Sequence, residues 1–191
     1  MPIAKDLRNL LMSYHPTRIR ESEYGGFLSA AVLVPLFLSD KGLSFLLTKR
    51  TELVETHKGQ IAFPGGAADK SDKDITATAL RETKEEIGIE AGSVEIIGEL
   101  DQHPVPSGFI ITPVVGFIEK LPAIVPHAVE VAEVIAPPLS FFARDGSGWS
   151  EEREFRGEKR EVWFYSYDGR LIWGATAAII RNLLSVLESP K

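Results

Sequence analysis

Apolar positions along the chain follow two periods, and the change from one to the other marks out its elements. Residues 3–14 space Ile3, Leu7, Leu10 and Leu11 at helical intervals, which predicts a helix within an N-terminal extension over residues 1–27. The runs LSAAVLVPLFL (28–38) and LSFLLTK (43–49) are β-rich, and Ser39-Asp40-Lys41-Gly42 between them reads as a hairpin turn. Pro35 has no N–H to give a ladder, so an edge or bulge position is expected for it. Further strands are expected at 94–100, 110–118, 129–135 and 161–167. Ser71, Asp72 and Asp74 are good N-cap residues for a helix over 75–87, which Gly88 stops. Its core side would carry Thr76, Leu80, Thr83 and Ile87. A last helix over 174–188, starting after Gly174, would bury Ala178, Ile179, Leu183, Val186 and Leu187. Residues 140–160 are polar, hold three glycines, and read as a long loop or a hairpin. Helices and strands thus mix without repeats. The expected class is α/β, in a single domain over residues 1–191 with no linker-like break.

Composition narrows the function more than the fold. A chain of 191 residues, 44% apolar and 25% charged, is ordinary for one globular domain. A net charge of −6 argues against a nucleic-acid-binding surface, which would carry a basic excess. Without cysteine there is no disulfide, zinc-thiolate site or thiol nucleophile. MPIAKDLRNLLMSY has no signal-peptide core, and the longest apolar run, Leu28 to Leu38, is broken by Ser29 and Pro35. A membrane helix needs about 20 apolar residues. The expectation is a soluble, cytoplasmic protein with no membrane or nucleic-acid partner.

The helix over 75–87 gathers unusual charge. At about 100° per residue, Glu82, Glu85 and Glu86 share a sector roughly 100° wide. A solvated face with Arg81 offsetting Glu85 explains this without any function, because like charges at such spacing cost only a few tenths of a kcal/mol. The alternative is a site for a hard divalent cation, which takes several oxygen ligands. Pro64-Gly65-Gly66, just ahead, allows a close backbone approach and offers carbonyl oxygens. Arg81 stands where a guanidinium can orient a carboxylate. Magnesium, which keeps positions open for phosphates, would suit such a platform.

The stretch Gly65-Gly66 … Arg81-Glu82-Thr83-Lys84-Glu85-Glu86-Ile87-Gly88-Ile89 resembles the Nudix box, G-x5-E-x7-R-E-U-x-E-E-x-G-U with U apolar. Thr83 stands at an apolar position. Counted back from Arg81, the box glycine falls on Ala67 and the first glutamate on Lys73, so the loop carries an extra residue. Asp72 and Asp74 are the nearest replacements for that glutamate. Upstream, Leu46-Leu47-Thr48-Lys49-Arg50-Thr51 … Gly59-Gln60-Ile61-Ala62-Phe63-Pro64-Gly65-Gly66 is similar to LLTxR[S/A]-x3-R-x3-G-x3-FPGG of the coenzyme A pyrophosphatase branch. That branch commonly shows the shifted loop, and FIITPVVGFI (109–118) and LIWGATAAIIRNLL (171–184) also resemble its members. The likeness spans roughly residues 28–187. One departure is a charge reversal: Glu55 stands where the pattern has arginine.

The resemblance implies an α/β/α sandwich with a curved mixed sheet between helices. It also implies hydrolysis of a nucleoside diphosphate bond with Mg²⁺ or Mn²⁺, here that of coenzyme A or an acyl derivative. A diphosphate repels an incoming hydroxide, and metal ions offset that charge and acidify water. On this reading Glu82 and Glu86 are the principal metal ligands and Glu85 is a third ligand or a water-positioning base. Arg81 orients them, while Arg50, Lys58, Gly65 and Gly66 meet the substrate. A base outside the box would be Glu130 or Glu133, unless these are exposed strand positions. Phe141, Phe142 and Trp149 are candidates for stacking on adenine; core packing and a homodimer contact are equal alternatives. His15, His57, His103 and His127 read as structural or solvent-facing. Glu55 leaves open a Nudix hydrolase for NADH, a dinucleoside polyphosphate or a nucleotide sugar. A non-catalytic ligand-binding regulator is the more distant alternative, since the three glutamates would then have no use.

Overall fold

A computed structural model describes residues 2–20, 24–53, 57–155 and 158–188. The first apolar period folds as helix α1 (Pro2–Ser13), which buries Leu7 and Leu11. There follow β1 (Leu28–Ser39), β2 (Gly42–Phe45), β3 (Leu47–Arg50), β4 (Ile61–Ala62), β5 (Gly65–Ala67) and helix α2 (Ile75–Ile87). After a 3-10 turn come β6 (Glu95–Glu99), β7 (His103–Val105), β8 (Phe109–Ile118) and β9 (Val131–Ile135). The chain continues through α3 (Leu139–Phe142), β10 (Gly148–Phe155), β11 (Glu158–Tyr167), β12 (Arg170–Trp173) and α4 (Ala175–Glu188).

The main sheet is mixed, in the order β2-β1-β8-β6, with β5 added beside β1 and β7 beside β8. β1 and β8 run parallel from Leu28↔Phe109 to Phe37↔Ile118. Ala31, Leu33 and Phe37 of β1 pack with Ala79 and Ile87 of α2. Val34 and Leu36 pack on the other side with Leu7 and Leu11 of α1 and Ile180 and Leu183 of α4. A strand covered on both faces has no polar side, which is why 28–38 is apolar at nearly every position instead of alternating. The sheet therefore lies between helices, as expected. Two three-stranded sheets, β4-β3-β9 and β10-β11-β12, complete the fold. Among the described residues no helix is long and apolar enough to cross a membrane.

Several local expectations need correction. Pro35 lies in a central strand, opposite Gly116 of β8. Its other flank falls between β5, which pairs with residues 30–32, and β2, which begins pairing at Leu36. The missing N–H therefore breaks no ladder, and Pro35 still accepts from the Leu46 N–H at 3.2 Å. The run 43–49 is two strands, because β2 pairs with β1 while β3 pairs with β4 and β9. In α4 the buried positions include Ala177, Ile180 and Leu184, whereas Ala178 and Leu187 are only partly covered. The 140–160 stretch holds α3 and most of a hairpin. Phe142 is buried there against Phe45 and Tyr165, and Phe141 packs on Phe142 and Tyr167. Phe142 is thus core and not a base-stacking surface.

Candidate active site

α2 begins where its cap residue dictates. The Asp74 carboxylate accepts from the Ala77 N–H at 2.7 Å, and Gly88 ends the helix in the left-handed region at φ 73. The face turned to the core carries Thr78, Ala79, Thr83, Glu86 and Ile87. Thr76 and Leu80 are only half-buried, and the glutamate sector straddles the boundary with solvent. Glu85 is exposed, Glu82 is mostly covered, and Glu86 keeps 4% of its surface accessible. Thr83 is tolerated in the apolar layer because its hydroxyl donates to the Ala79 carbonyl at 2.7 Å.

Arg81 ties the cluster together. Its Nη1 donates to Glu82 at 2.7 Å and to Glu85 at 3.1 Å. Its Nε and Nη2 each reach the Asp72 carboxylate at 3.0 Å, and Nη2 also meets the Ala67 carbonyl. Asp72 is further held by the Thr78 hydroxyl at 2.8 Å and the Asp69 N–H at 2.9 Å. Arg81 and these bonds hold its carboxyl well below the usual range. Neither acidic substitute for the first box glutamate thus turns to the cluster as a ligand: Asp74 caps the helix and Asp72 clamps Arg81.

Pro64-Gly65-Gly66 is not a free turn. Gly65 and Gly66 form β5, opposite Val32 and Ala31 of β1. A Cβ at Gly65 would lie 2.2 Å from the Ala31 carbonyl oxygen, and one at Gly66 would lie 2.6 Å from the Glu82 carboxylate. The glycines let strand and carboxylate close on each other. The Gly65 backbone also donates a hydrogen bond to Glu86.

Glu86 sits in the deepest part. Burial pushes its carboxyl up to about 7, against the opposing pull of Arg50 and the Gly65 N–H. Glu82 and Glu130 add repulsion in the same direction. Burial raises Glu82 as well, opposed by Arg81, with Glu85 and Glu130 again repelling. Thr48 lies 3.4 Å from Glu86, so alternate residues of β3, Thr48 and Arg50, face it. The Arg50 Nε is buried, has no hydrogen-bond partner among the described residues, and its charge is felt at Glu86. Such a donor is costly unless something accepts from it.

The two candidate bases part company. The Glu130 charge is felt at both Glu82 and Glu86. Glu133 is bound to Arg170 at 2.6 and 3.2 Å. The two candidate cations part as well, for Lys58 lines a separate hollow with Lys49, Arg170 and Trp173. Glu55 lies outside the described residues. As the side chains stand, no group of three acidic or histidine residues among the described residues is gathered at ligating distance. Arg81 Nη1 holds both Glu82 and Glu85. The donor set still suits a hard cation: carboxylates only, two of them raised by burial and mutual repulsion, with a glycine clearing the space beside Glu82. Asp72 and the unpartnered Arg50 nitrogen are what the sequence reading missed. Arg50 stood in the upstream signature, but nothing local marked its burial.

This arrangement, a glutamate helix set against a glycine strand on a mixed sheet, defines a Nudix-type hydrolase site. The family model for the NUDIX domain matches residues 28–135, which hold every one of these side chains except Arg170 and Trp173 of the neighbouring hollow. The chain belongs to the Nudix hydrolase family. It is 40% identical over 159 residues to the uncharacterized Nudix hydrolase NudL of Photorhabdus laumondii, covering 83% of this chain and 84% of that one. Nudix hydrolase 15, mitochondrial, of Arabidopsis thaliana is 37% identical over 164 residues, 82% of this chain and 58% of that one. The fold is shared with a Nudix hydrolase from Alicyclobacillus acidocaldarius at TM-score 0.55 and 20% identity, covering 83% and 91% of the two chains.

Proposed function

We propose that this Nudix hydrolase cleaves the diphosphate bond of coenzyme A or an acyl derivative. Water is added across the bridge to release adenosine 3′,5′-bisphosphate and the 4′-phosphopantetheine fragment. The observation that carries the reading is the buried Arg50 Nε, unpartnered among the described residues, whose charge is felt at the buried Glu86. A carboxylate and a guanidinium that both face one site, without pairing fully, suit a ligand that is cationic on one side and anionic on the other. A divalent cation with a diphosphate is such a ligand. Arg50 belongs to the LLTKRT signature, whose Leu46 and Leu47 anchor β3 in the core. That signature, with GQIAFPGG, favours coenzyme A within the family.

Mg²⁺ or Mn²⁺ held by Glu82 and Glu86 would offset phosphate charge and make water a better nucleophile. Arg81 keeps Glu82 and Glu85 oriented through its anchor on Asp72. Arg50 takes a phosphate oxygen. Glu85 is a third ligand, and Glu130 is placed to accept the proton of the attacking water. Glu82→Gln and Glu86→Gln, which remove charge and keep shape, should each lower kcat by about two orders of magnitude or more. The decisive assay is a panel of diphosphates with Mg²⁺ and with Mn²⁺. Coenzyme A should exceed NADH and nucleotide sugars in kcat/KM. A tenfold preference for either of those would overturn the substrate and leave the Nudix chemistry. Glu55, acidic where the branch pattern is basic, is what favours that second reading.

A further inference from the structure

Beside the glutamate site, β3 contributes to a second concavity. Arg50 and Thr48 face Glu86, whereas Lys49, between them, lines a hollow of about 350 Å³ with Lys58, Gln60, Arg170 and Trp173. Three of its lining side chains are cationic and none is acidic, in a chain of net charge −6. Two nearby carboxylates are engaged by Arg170. Glu133, directly across the ladder from Lys49, binds Arg170 at 2.6 Å, and Asp168 binds Arg170 at 2.6 Å as well. Glu52 rests against Gly59 on the rim. Lys49 of β3 and Lys58, in the turn before β4, are left without an ion pair among the described residues. Arg170 is fixed by its two carboxylates, so it shapes the wall while the lysines carry the free charge. Trp173 lies stacked 6.1 Å from Phe164 with its rings nearly parallel, and adds a flat aromatic edge to the same wall. Mobile ammonium groups beside a fixed aromatic suit a dianionic phosphomonoester carried on a nucleoside. The size falls within the range of small-ligand sites.

We infer that this hollow, built from Lys49, Lys58, Arg170 and Trp173, binds the phosphomonoester of a nucleotide, separately from the glutamate cluster. The phosphate has two sources: the 3′-phosphate of the proposed substrate, or a second nucleotide. The first source rests on the coenzyme A reading; binding to the hollow does not.

Adenosine 3′,5′-bisphosphate titrated into the whole chain in the presence of EDTA tests binding alone, followed by calorimetry. Affinity should fall roughly tenfold or more, about 1.4 kcal/mol, in the Lys49→Ala/Lys58→Ala double variant, and return in Lys49→Arg/Lys58→Arg. Equal affinity of wild type and the alanine variant, or no saturable binding by wild type, overturns the inference. The source is read from kcat/KM for coenzyme A over dephospho-coenzyme A. If the substrate supplies the phosphate, this ratio falls in the alanine variant. If a second nucleotide does, the ratio holds, and added bisphosphate changes the wild-type rate on dephospho-coenzyme A while leaving that of the variant unmoved. A chain inactive on both substrates that still binds the bisphosphate through the two lysines would defeat the substrate reading and uphold the hollow.

Discussion

Asp72 grips Arg81 with both oxygens, taking Nε and Nη2 at 3.0 Å each, nine residues away along a loop that leads into the helix. That pair fixes the guanidinium, whose remaining nitrogen carries Glu82 and Glu85. Asp72→Asn keeps the shape and removes the charge that aligns Arg81. It should lower kcat by roughly 10–100-fold, the usual range for groups that orient metal ligands. Asp74→Ala, two residues on, removes only the helix cap. It should cost about 1 kcal/mol of stability with little loss of kcat. Equal kinetic losses in the two variants would mean that Asp72 acts through the fold and not through Arg81.

The two glycines of β5 separate in the same way. At Gly66 a Cβ would meet the far end of a flexible side chain, the Glu82 carboxylate at 2.6 Å, which can swing aside. Gly66→Ala should therefore keep most of its stability and lose activity. At Gly65 a Cβ would meet backbone, 2.2 Å from the Ala31 carbonyl and 2.6 Å from the Val32 Cα. Gly65→Ala has to displace β1 or β5, and a loss of about 1–3 kcal/mol is expected. Denaturant melts beside kcat for both variants check the assignment; a stable, fully active Gly66→Ala protein would remove Glu82 from the site.

His103 contributes to the pH dependence of stability. Burial, helped by the Arg160 charge, holds its imidazole below the ordinary 6.5. The unfolded chain then takes up a proton near that value and the folded chain does not. The contribution is nil above about 6.5 and becomes a penalty as pH falls through it. His103→Gln should narrow the drop in Tm between neutral and mildly acidic buffer. An unchanged drop would show that His103 titrates alike in both states.

Much of this was legible before the structure. The 75–87 helix had its caps and its period, and Asp74 and Gly88 fall where they should. The parallel pairing of β1 with β8, deep in the sheet, also fits the mostly apolar sequence of both. What failed was set by tertiary contacts. Helical spacing grouped Glu82, Glu85 and Glu86 in one sector but carried no record of the tilt that buries Glu86 and leaves Glu85 in water. Asp72 looked like one of three capping residues because its partner lies across a loop. Arg50 and Lys58 looked alike, yet strand alternation and the turn over 57–60 send them to different walls.

The last expectation concerns the base. Glu130 and Glu133 were equal candidates by position, three residues apart at the start of β9. Glu133 is committed: both its oxygens serve Arg170, at 2.6 and 3.2 Å. A carboxylate bonded through both oxygens to one guanidinium suits a structural anion better than a proton acceptor. Glu130 has only a loose neighbour, His127 at 3.5 Å, and its charge is felt by both Glu82 and Glu86. Its backbone is pinned, for its carbonyl accepts from the Thr51 N–H at 2.9 Å, next to Arg50. A carboxylate fixed at the backbone, with only His127 loosely at its tip among the described residues and its charge felt at the glutamate cluster, has the freedom that proton transfer requires. Glu130→Gln should lower kcat by roughly 100-fold or more, with KM little changed. Glu133→Gln should keep kcat within a few-fold and loosen Arg170, seen as a lower Tm. If Glu133→Gln is the variant that loses the rate, the proton goes to the other carboxylate and the site must open toward Arg170.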